Sequence, residues 1–308
     1  MRRAIPLRSF PGRLLAALAV PGFFLIVYWI AIRPSQLRWG ATPEEVARSM
    51  PGDRLVSNPT FCATRAVTIR ATPEEIWPWL VQMGYSRAGF YGYDLIENLG
   101  SARGIRSAGS ILPEFQHPRA GDVLPISAVA HLAFGTIQPN QYLIWRGEAD
   151  PADGAFTWAL YPVDPDHTRL VSRIRFRYHS SHPWLLTLDL FTEFADHLAV
   201  PKLLHGIRDR AEGRTPEPLL TESLEIIVLI VALLQFALAT WAVFRDPFRS
   251  RVWLMALVSG SVLLFVFYAH AWLWINVVLV GCSLAAILRA TSHAGASGSN
   301  STVIMMST

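Results

Sequence analysis

Three stretches of this chain are too long and too free of charge to belong to an ordinary soluble domain. Leu14–Ile32 (LLAALAVPGFFLIVYWIAI) has no ionisable group, and Leu224–Phe244 holds only Glu225, near its start. Val252–Leu288 continues for 37 residues, broken only by Ser259-Gly260-Ser261, His270 and Asn276. A bilayer core needs roughly 20 helical residues per crossing, so the first two stretches each span once and the third is about twice too long. It is read as a hairpin of spans at 252–268 and 272–288, turning around Ala269-His270-Ala271; one tilted span plus an interfacial segment is the alternative. The reading gives four transmembrane helices, one N-terminal (14–32) and three C-terminal (224–244, 252–268, 272–288). Residues 1–13 form a basic flank, and the small, polar tail 289–308 is expected to be disordered.

The first run exceeds the ~7–15 residues of a signal-peptide core and no A-x-A site follows it, so it reads as an anchor; Pro21-Gly22 within it predicts a kink. Charge then sets the orientation. Residues 33–221 carry 19 basic against 20 acidic side chains, and the rest of the chain carries 8 against 3. The excess sits on short membrane flanks: Arg2, Arg3, Arg8 and Arg13, the loop RDPFRSR (245–251), and Arg289. That is an orientation signal and not a nucleic-acid footprint, so no nucleic-acid partner is expected. Both termini are assigned to the cytoplasm and residues 33–221 to the other side of the cell membrane. With 52% hydrophobic and only 16% charged residues, a disordered chain is excluded. Two cysteines, Cys62 and Cys282, exclude a disulfide scaffold.

Residues 33–59 read as a linker, and 60–213 as a cored domain. Thr64–Ala71 alternates as a half-buried strand. Thr72-Pro73-Glu74-Glu75 starts a helix, with Thr72 as N-cap and two acids in the first turn. Ile76, Trp79, Leu80 and Met83 then follow at helical spacing, and a second short helix is expected over 91–99. Short strands at 122–126, 131–137, 141–147, 155–163 and 168–178, separated by turn residues, predict an antiparallel sheet. Residues 184–212 read as a long amphipathic helix with Leu188, Phe191, Phe194, Ala195 and Leu198 on one face, kinked or split in two at Pro201.

The fold class is therefore α+β plus membrane helices. The stretches ATPEEIWPWLVQMG (71–84), RAGFYGYDLIENL (87–99), ILPEFQ…GD (111–122), TRLVSRIRFRY (168–178) and GIRDRAE (206–212) carry a resemblance. In them the chain resembles a bacterial subgroup of the SRPBCC superfamily (START-like, polyketide cyclase/dehydrase and lipid-transport-like) over residues 60–213. Ala88 and Phe115 stand where that pattern has Gly and Trp. The resemblance implies a helix-grip fold, with an antiparallel sheet wrapped around a long C-terminal helix, and a cavity for an apolar small molecule or lipid. Inward positions would be Phe156, Trp158 and Leu160 on one strand and Leu170, Ser172, Ile174 and Phe176 on the next. Arg169, Arg173, Arg175 and Arg177 would point to the other face.

No metal-ligand spacing, nucleophile elbow, P-loop or dinucleotide motif is present, so no metal site and no cofactor are expected. The chemistry-bearing cluster is Arg87, Tyr91, Tyr93, Asp94, Glu97 and Asn98. Tyr93, Asp94 and Glu97 are the weak catalytic candidates, binding a polar head or acting as general acid or base. The structural alternative has Arg87 pairing with Asp94 or Glu97. Trp79, Tyr91, Tyr93, Phe156, Trp158, Leu170, Ile174, Phe176, Phe191 and Phe194 are the expected ligand contacts. Three functions follow: a membrane-anchored module that binds or transfers an apolar ligand, a cyclase/dehydratase-type enzyme in the same cavity, or a membrane assembly protein.

Overall fold

In the computed structural model the described residues are 9–149, 152–178, 183–269 and 271–303. His179, His182 and His270 lie outside them, as do residues 304–308. The chain divides into two compact units, one formed by residues 1–33 with 223–308 and the other by residues 34–222.

The first unit opens with α1 (Phe10–Val27), capped by the Ser9 hydroxyl, which accepts from Gly12 N at 3.3 Å. A five-residue π turn, Tyr28–Ile32, leads into α2 (Arg33–Gln36), so helix continues from Phe10 to Gln36 with Pro21 inside it.

In the second unit α3 (Pro43–Ala47) is closed by a capping box between Thr42 and Glu45. Strand β1 (Phe61–Ile69) precedes α4 (Pro73–Val81), which starts on the expected box of Thr72 and Glu75 and buries Ile76, Trp79 and Leu80. Helix α5 spans only Asp94–Glu97, shorter than the expected 91–99. The reason is Tyr91, whose φ of 64° is incompatible with a right-handed helix. Strands β2 (Val123–Pro125), β3 (His131–Gln138), β4 (Tyr142–Ala149), β5 (Ala152–Asp164) and β6 (His167–Tyr178) follow, then α6 (Pro183–Ala211).

The six strands form one antiparallel sheet in the order β1-β6-β5-β4-β3-β2. Its inner face packs against α4 and α6 in a core that includes Val67, Leu143, Trp145, Trp158, Leu170, Leu204 and Ile207. The outer face displays arginines, as expected: Arg177 is exposed, whereas Arg169, Arg173 and Arg175 are covered by the segment that precedes β1. Residues 33–59 are no loose linker, because the outer-face guanidiniums bind their backbone. Arg173 donates to the carbonyls of Glu45, Val46 and Arg48 and pairs with Asp53 at 2.9 Å; Arg175 donates to Val56 O, and Thr157 to Pro51 O. At β1, Thr64 N and Ala66 N donate to Leu37 O and Trp39 O. Gly40 turns the chain away with φ +69°, where a Cβ would overlap the Ala66 carbonyl.

Helix α7 (Leu219–Arg245) from Ser223 onward, α8 (Ser250–Tyr268) and α9 (Leu273–Val303) complete the first unit. Ala16, Val20 and Phe24 of α1 pack with Ala239, Val243 and Ala256, and Ser283 of α9 donates to Gln235 of α7 at 3.1 Å. Among the described residues three helices, Phe10–Gln36, Leu219–Arg245 and Ser250–Tyr268, are long and apolar enough to cross a membrane, where the sequence predicted four spans. The apolar part of α9, Leu273–Arg289, is shorter. At 1.5 Å per residue it reaches only about 25 Å of a ~30 Å core. Residues 289–303, expected to be disordered, continue α9 as helix, since propagating an existing helix needs no new nucleus.

Candidate functional site

The acid and aromatic cluster comes together, but mostly to hold backbone. The Tyr91 hydroxyl donates to Trp79 O at 3.1 Å and accepts from Gln82 Nε2 at 2.9 Å, with the Arg210 guanidinium over its ring at 4.4 Å. Burial pushes its phenol well above the ordinary range. Tyr93 receives Lys202 Nζ on its ring face at 4.3 Å. Asp94, buried, accepts from Asn98 Nδ2 at 3.2 Å. Arg87 pairs with neither acid. It donates to Met83 O and Val81 O at the end of α4 and lies over the Phe115 ring at 4.3 Å.

Glu97 accepts from Gly92 N at 3.3 Å, and its carboxyl is pushed up to about 7, first by desolvation and then by Asp94 and Glu222. A carboxyl whose folded value exceeds its unfolded one binds its proton more tightly in the fold. Its contribution to stability is therefore full at acid pH and is lost as the pH rises through the window from 4.5 to about 7. E97Q should remove that part of the pH dependence, so that wild type loses thermal stability relative to E97Q across this window. A constant difference between the two melting curves would show that Glu97 does not titrate there.

Of the expected ligand contacts, Trp79, Trp158, Leu170 and Ile174 are buried, and Phe156 and Phe176 are half-buried. Phe156, Trp158, Leu170, Ile174 and Phe176 share the sheet's inner face, where Trp145 joins them with its ring centroid 5.1 Å from that of Trp158. The α6 contacts are corrected. Phe191 is 65% exposed and Phe194 37% exposed, while Glu193, Asp196 and His197 are buried. The buried stripe of α6 is Val200, Leu203, Leu204 and Ile207 in its C-terminal half. Continuing the same three-and-four spacing backward reaches 197, 196 and 193, not the phenylalanines.

These polar residues meet β1. Arg65, 1% exposed, donates through Nε to Gln36 O at 3.1 Å, pairs through Nη1 with Asp196 Oδ2 at 2.5 Å, and donates through Nη2 to His197 Nδ1 at 2.5 Å. A guanidinium has only donors, so His197 Nδ1 accepts and the neutral ring carries its proton on Nε2, toward Glu193 Oε1 at 3.7 Å. Burial raises the Asp196 carboxyl, opposed by Arg65 and reinforced by Glu193. Asp196 Oδ1 and the indole nitrogens of Trp145 and Trp158 are buried without a hydrogen-bond partner among the described residues. The sheet register places Arg65, Ser172 and Trp158 in one row across β1, β6 and β5. The inner face therefore combines an aromatic wall with unspent donors and a carboxylate with an unspent oxygen.

No group of acids, histidines and cysteines fit to hold a metal ion occurs among the described residues. A surface cavity of about 430 Å³ lies on the outer face, between residues 49–55 and Thr136 and Ile144, away from this cluster.

No family model and no curated protein matches the chain. Solved structures similar to it include protein MLL2253 of Mesorhizobium loti (18% identity, 49% of this chain and 98% of that one, TM-score 0.29). A START superfamily protein from Mycobacterium smegmatis is similar at 14% identity, 48% and 97% coverage and TM-score 0.30. The Zhui aromatase/cyclase of a Streptomyces species is similar at 15% identity, 49% and 93% coverage and TM-score 0.30. The antiparallel sheet with the long helix α6 packed on it agrees with the arrangement that the sequence resemblance implied.

Proposed function

We propose that residues 34–222 bind an apolar molecule carrying a hydroxyl group, held between the sheet's inner face and α6, and that the flanking helices anchor this module in a membrane. The observation that carries the reading is the buried cluster of Arg65, Asp196, His197 and Glu193 beside an aromatic wall. Burying charges costs several kcal/mol each, and neither Asp196 Oδ1 nor the two indole N–H groups recovers that cost within the protein. Each guanidinium nitrogen of Arg65 is engaged, so the open groups are one carboxylate oxygen and two indole donors. A hydroxyl both donates and accepts, and suits them. Leu273–Arg289 serves in this reading as a fourth crossing, with the basic flanks cytoplasmic and residues 34–222 on the opposite side.

The test is native mass spectrometry of the full-length protein, released from detergent after incubation with equal amounts of pyrenebutanol and butylpyrene. Wild type should retain the alcohol about tenfold over the hydrocarbon, the value of one good hydrogen bond. R65M/D196L should hold both equally. A protein that retains neither probe would overturn the reading, as would a preference that survives the double substitution.

A second reading is acid–base chemistry on the bound molecule, favoured by the raised Asp196 carboxyl beside a neutral imidazole. It has the same site and differs only in turnover.

A further inference from the structure

We propose that the cavity on the sheet's outer face is a second binding site, which takes a small organic acid by its apolar body and its carboxylate. The cavity arises from a mismatch in the sheet. Phe134 pairs with Trp145 and Ile137 with Leu143, so Gly135 and Thr136 of β3 together stand opposite Ile144 of β4. Such a bulge bends its strand away from the regular surface. The segment 49–55 does not follow it, because it is pinned one strand further on. Pro51 O accepts from the Thr157 hydroxyl of β5 at 2.8 Å, and Gly52 lies so close that a Cβ would stand 2.7 Å from the same hydroxyl oxygen. A φ of +89° at Gly52 makes that approach possible. The step between the pinned segment and the bulged strand encloses about 430 Å³. Small-molecule sites usually measure roughly 300–1,000 Å³.

The lining has two characters. Met50 and Ile144, 4% and 3% exposed, form an apolar floor with Pro51. Ser49, Arg54 and Thr136 are exposed and stand around it. Among the described residues the Arg54 guanidinium makes no ion pair and no hydrogen bond, and the hydroxyls of Ser49 and Thr136 have no partner. The one acid of the segment, Asp53, is engaged elsewhere: Arg173 Nη1 pairs with it at 2.9 Å and Met50 N donates to it at 2.9 Å. A cation whose neighbouring acid is spent, beside two hydroxyls and over an apolar floor, suits an anion with an apolar body. One guanidinium balances a single negative charge, and its parallel N–H donors match the two oxygens of a carboxylate. An organic monoacid is therefore favoured over a phosphate dianion. The site is separate from the inner-face cluster, since Ile144 and Thr157 point outward while their chain neighbours Trp145 and Trp158 point inward.

Photolabelling of the full-length protein in a non-ionic detergent tests the proposal. The probes are 4-benzoylbenzoate and its neutral amide, 4-benzoylbenzamide; the excited ketone of each inserts into nearby C–H bonds, and adducts are located by peptide mass spectrometry. In wild type the carboxylate should label residues 49–55, Thr136 or Ile144 about tenfold more than the amide does, the value of one charge-assisted contact. R54M changes an exposed side chain and should bring labelling by the carboxylate down to the level of the amide. Equal labelling of wild type by the two probes overturns the proposal, as does carboxylate labelling that survives R54M. Carboxylate adducts confined to Phe156 or Trp158 also overturn it, because the acid would then occupy the inner face.

Discussion

R65M is expected to lower the stability of the sheet-bearing unit by about 3–5 kcal/mol, because it strands the Asp196 carboxylate in the interior and removes the guanidinium hydrogen bonds to Gln36 O and His197 Nδ1. Asp196 is the critical partner, since its other oxygen already has no hydrogen bond. Part of the loss will be recovered by protonating Asp196, whose carboxyl is already raised, so the deficit should shrink at acid pH. R65M/D196L removes both charges together and should return most of the stability, as apolar replacements of buried pairs commonly do. Thermal unfolding followed by tryptophan emission reads both, since Trp145 and Trp158 lie on the same face of the sheet. If the single and double variants melt alike, the pair does not act as a unit.

The second large effect is expected at Gly206. It sits in α6, where alanine would normally be favoured by about 1 kcal/mol. Here a Cβ would overlap the carbonyl oxygen of Tyr91 and crowd its side chain. Neither side yields easily, because Tyr91 is held by Trp79 O, Gln82 and Ser107 and the helix by its own ladder. G206A should therefore cost about 2 kcal/mol despite its better propensity, and should loosen the Arg210–Tyr91 stack beside it. The same thermal unfolding measures it; a gain in stability would mean that the two backbones are further apart than described.

Much of the fold was legible because it depends on local periodicity. The Thr72 capping box, the alternation on β5 and β6 and the apolar runs at both ends are written in neighbouring residues. The site was less legible, for reasons visible at particular positions. Phe191 and Phe194 attracted the ligand assignment because apolar residues usually mark the buried stripe of a helix, and in α6 that rule fails between residues 191 and 197. The stripe there is Glu193, Asp196 and His197, whose burial makes sense only once Arg65, more than 120 residues away, stands opposite them. No local pattern reports a pairing at that separation. The spacing of Val200, Leu203, Leu204 and Ile207, extended one turn backward, was the available signal. Similarly, residues 33–59 look like a connector because they lack strong periodicity. Their order comes from the arginines of β6, which reach carbonyls that could not be identified in advance.

The backbone bonds from β1 to Leu37 and Trp39 have a consequence for how copies of this protein meet. An open sheet exposes two rims of unpaired amides and carbonyls, and either can template a strand from another molecule. Here the β1 rim is occupied by the chain's own incoming segment. The opposite rim is β2, three residues long and ending in Pro125, which has no amide hydrogen to offer. Sheet-to-sheet polymerisation is thus blunted at both rims, in a protein that a membrane would hold at high local concentration.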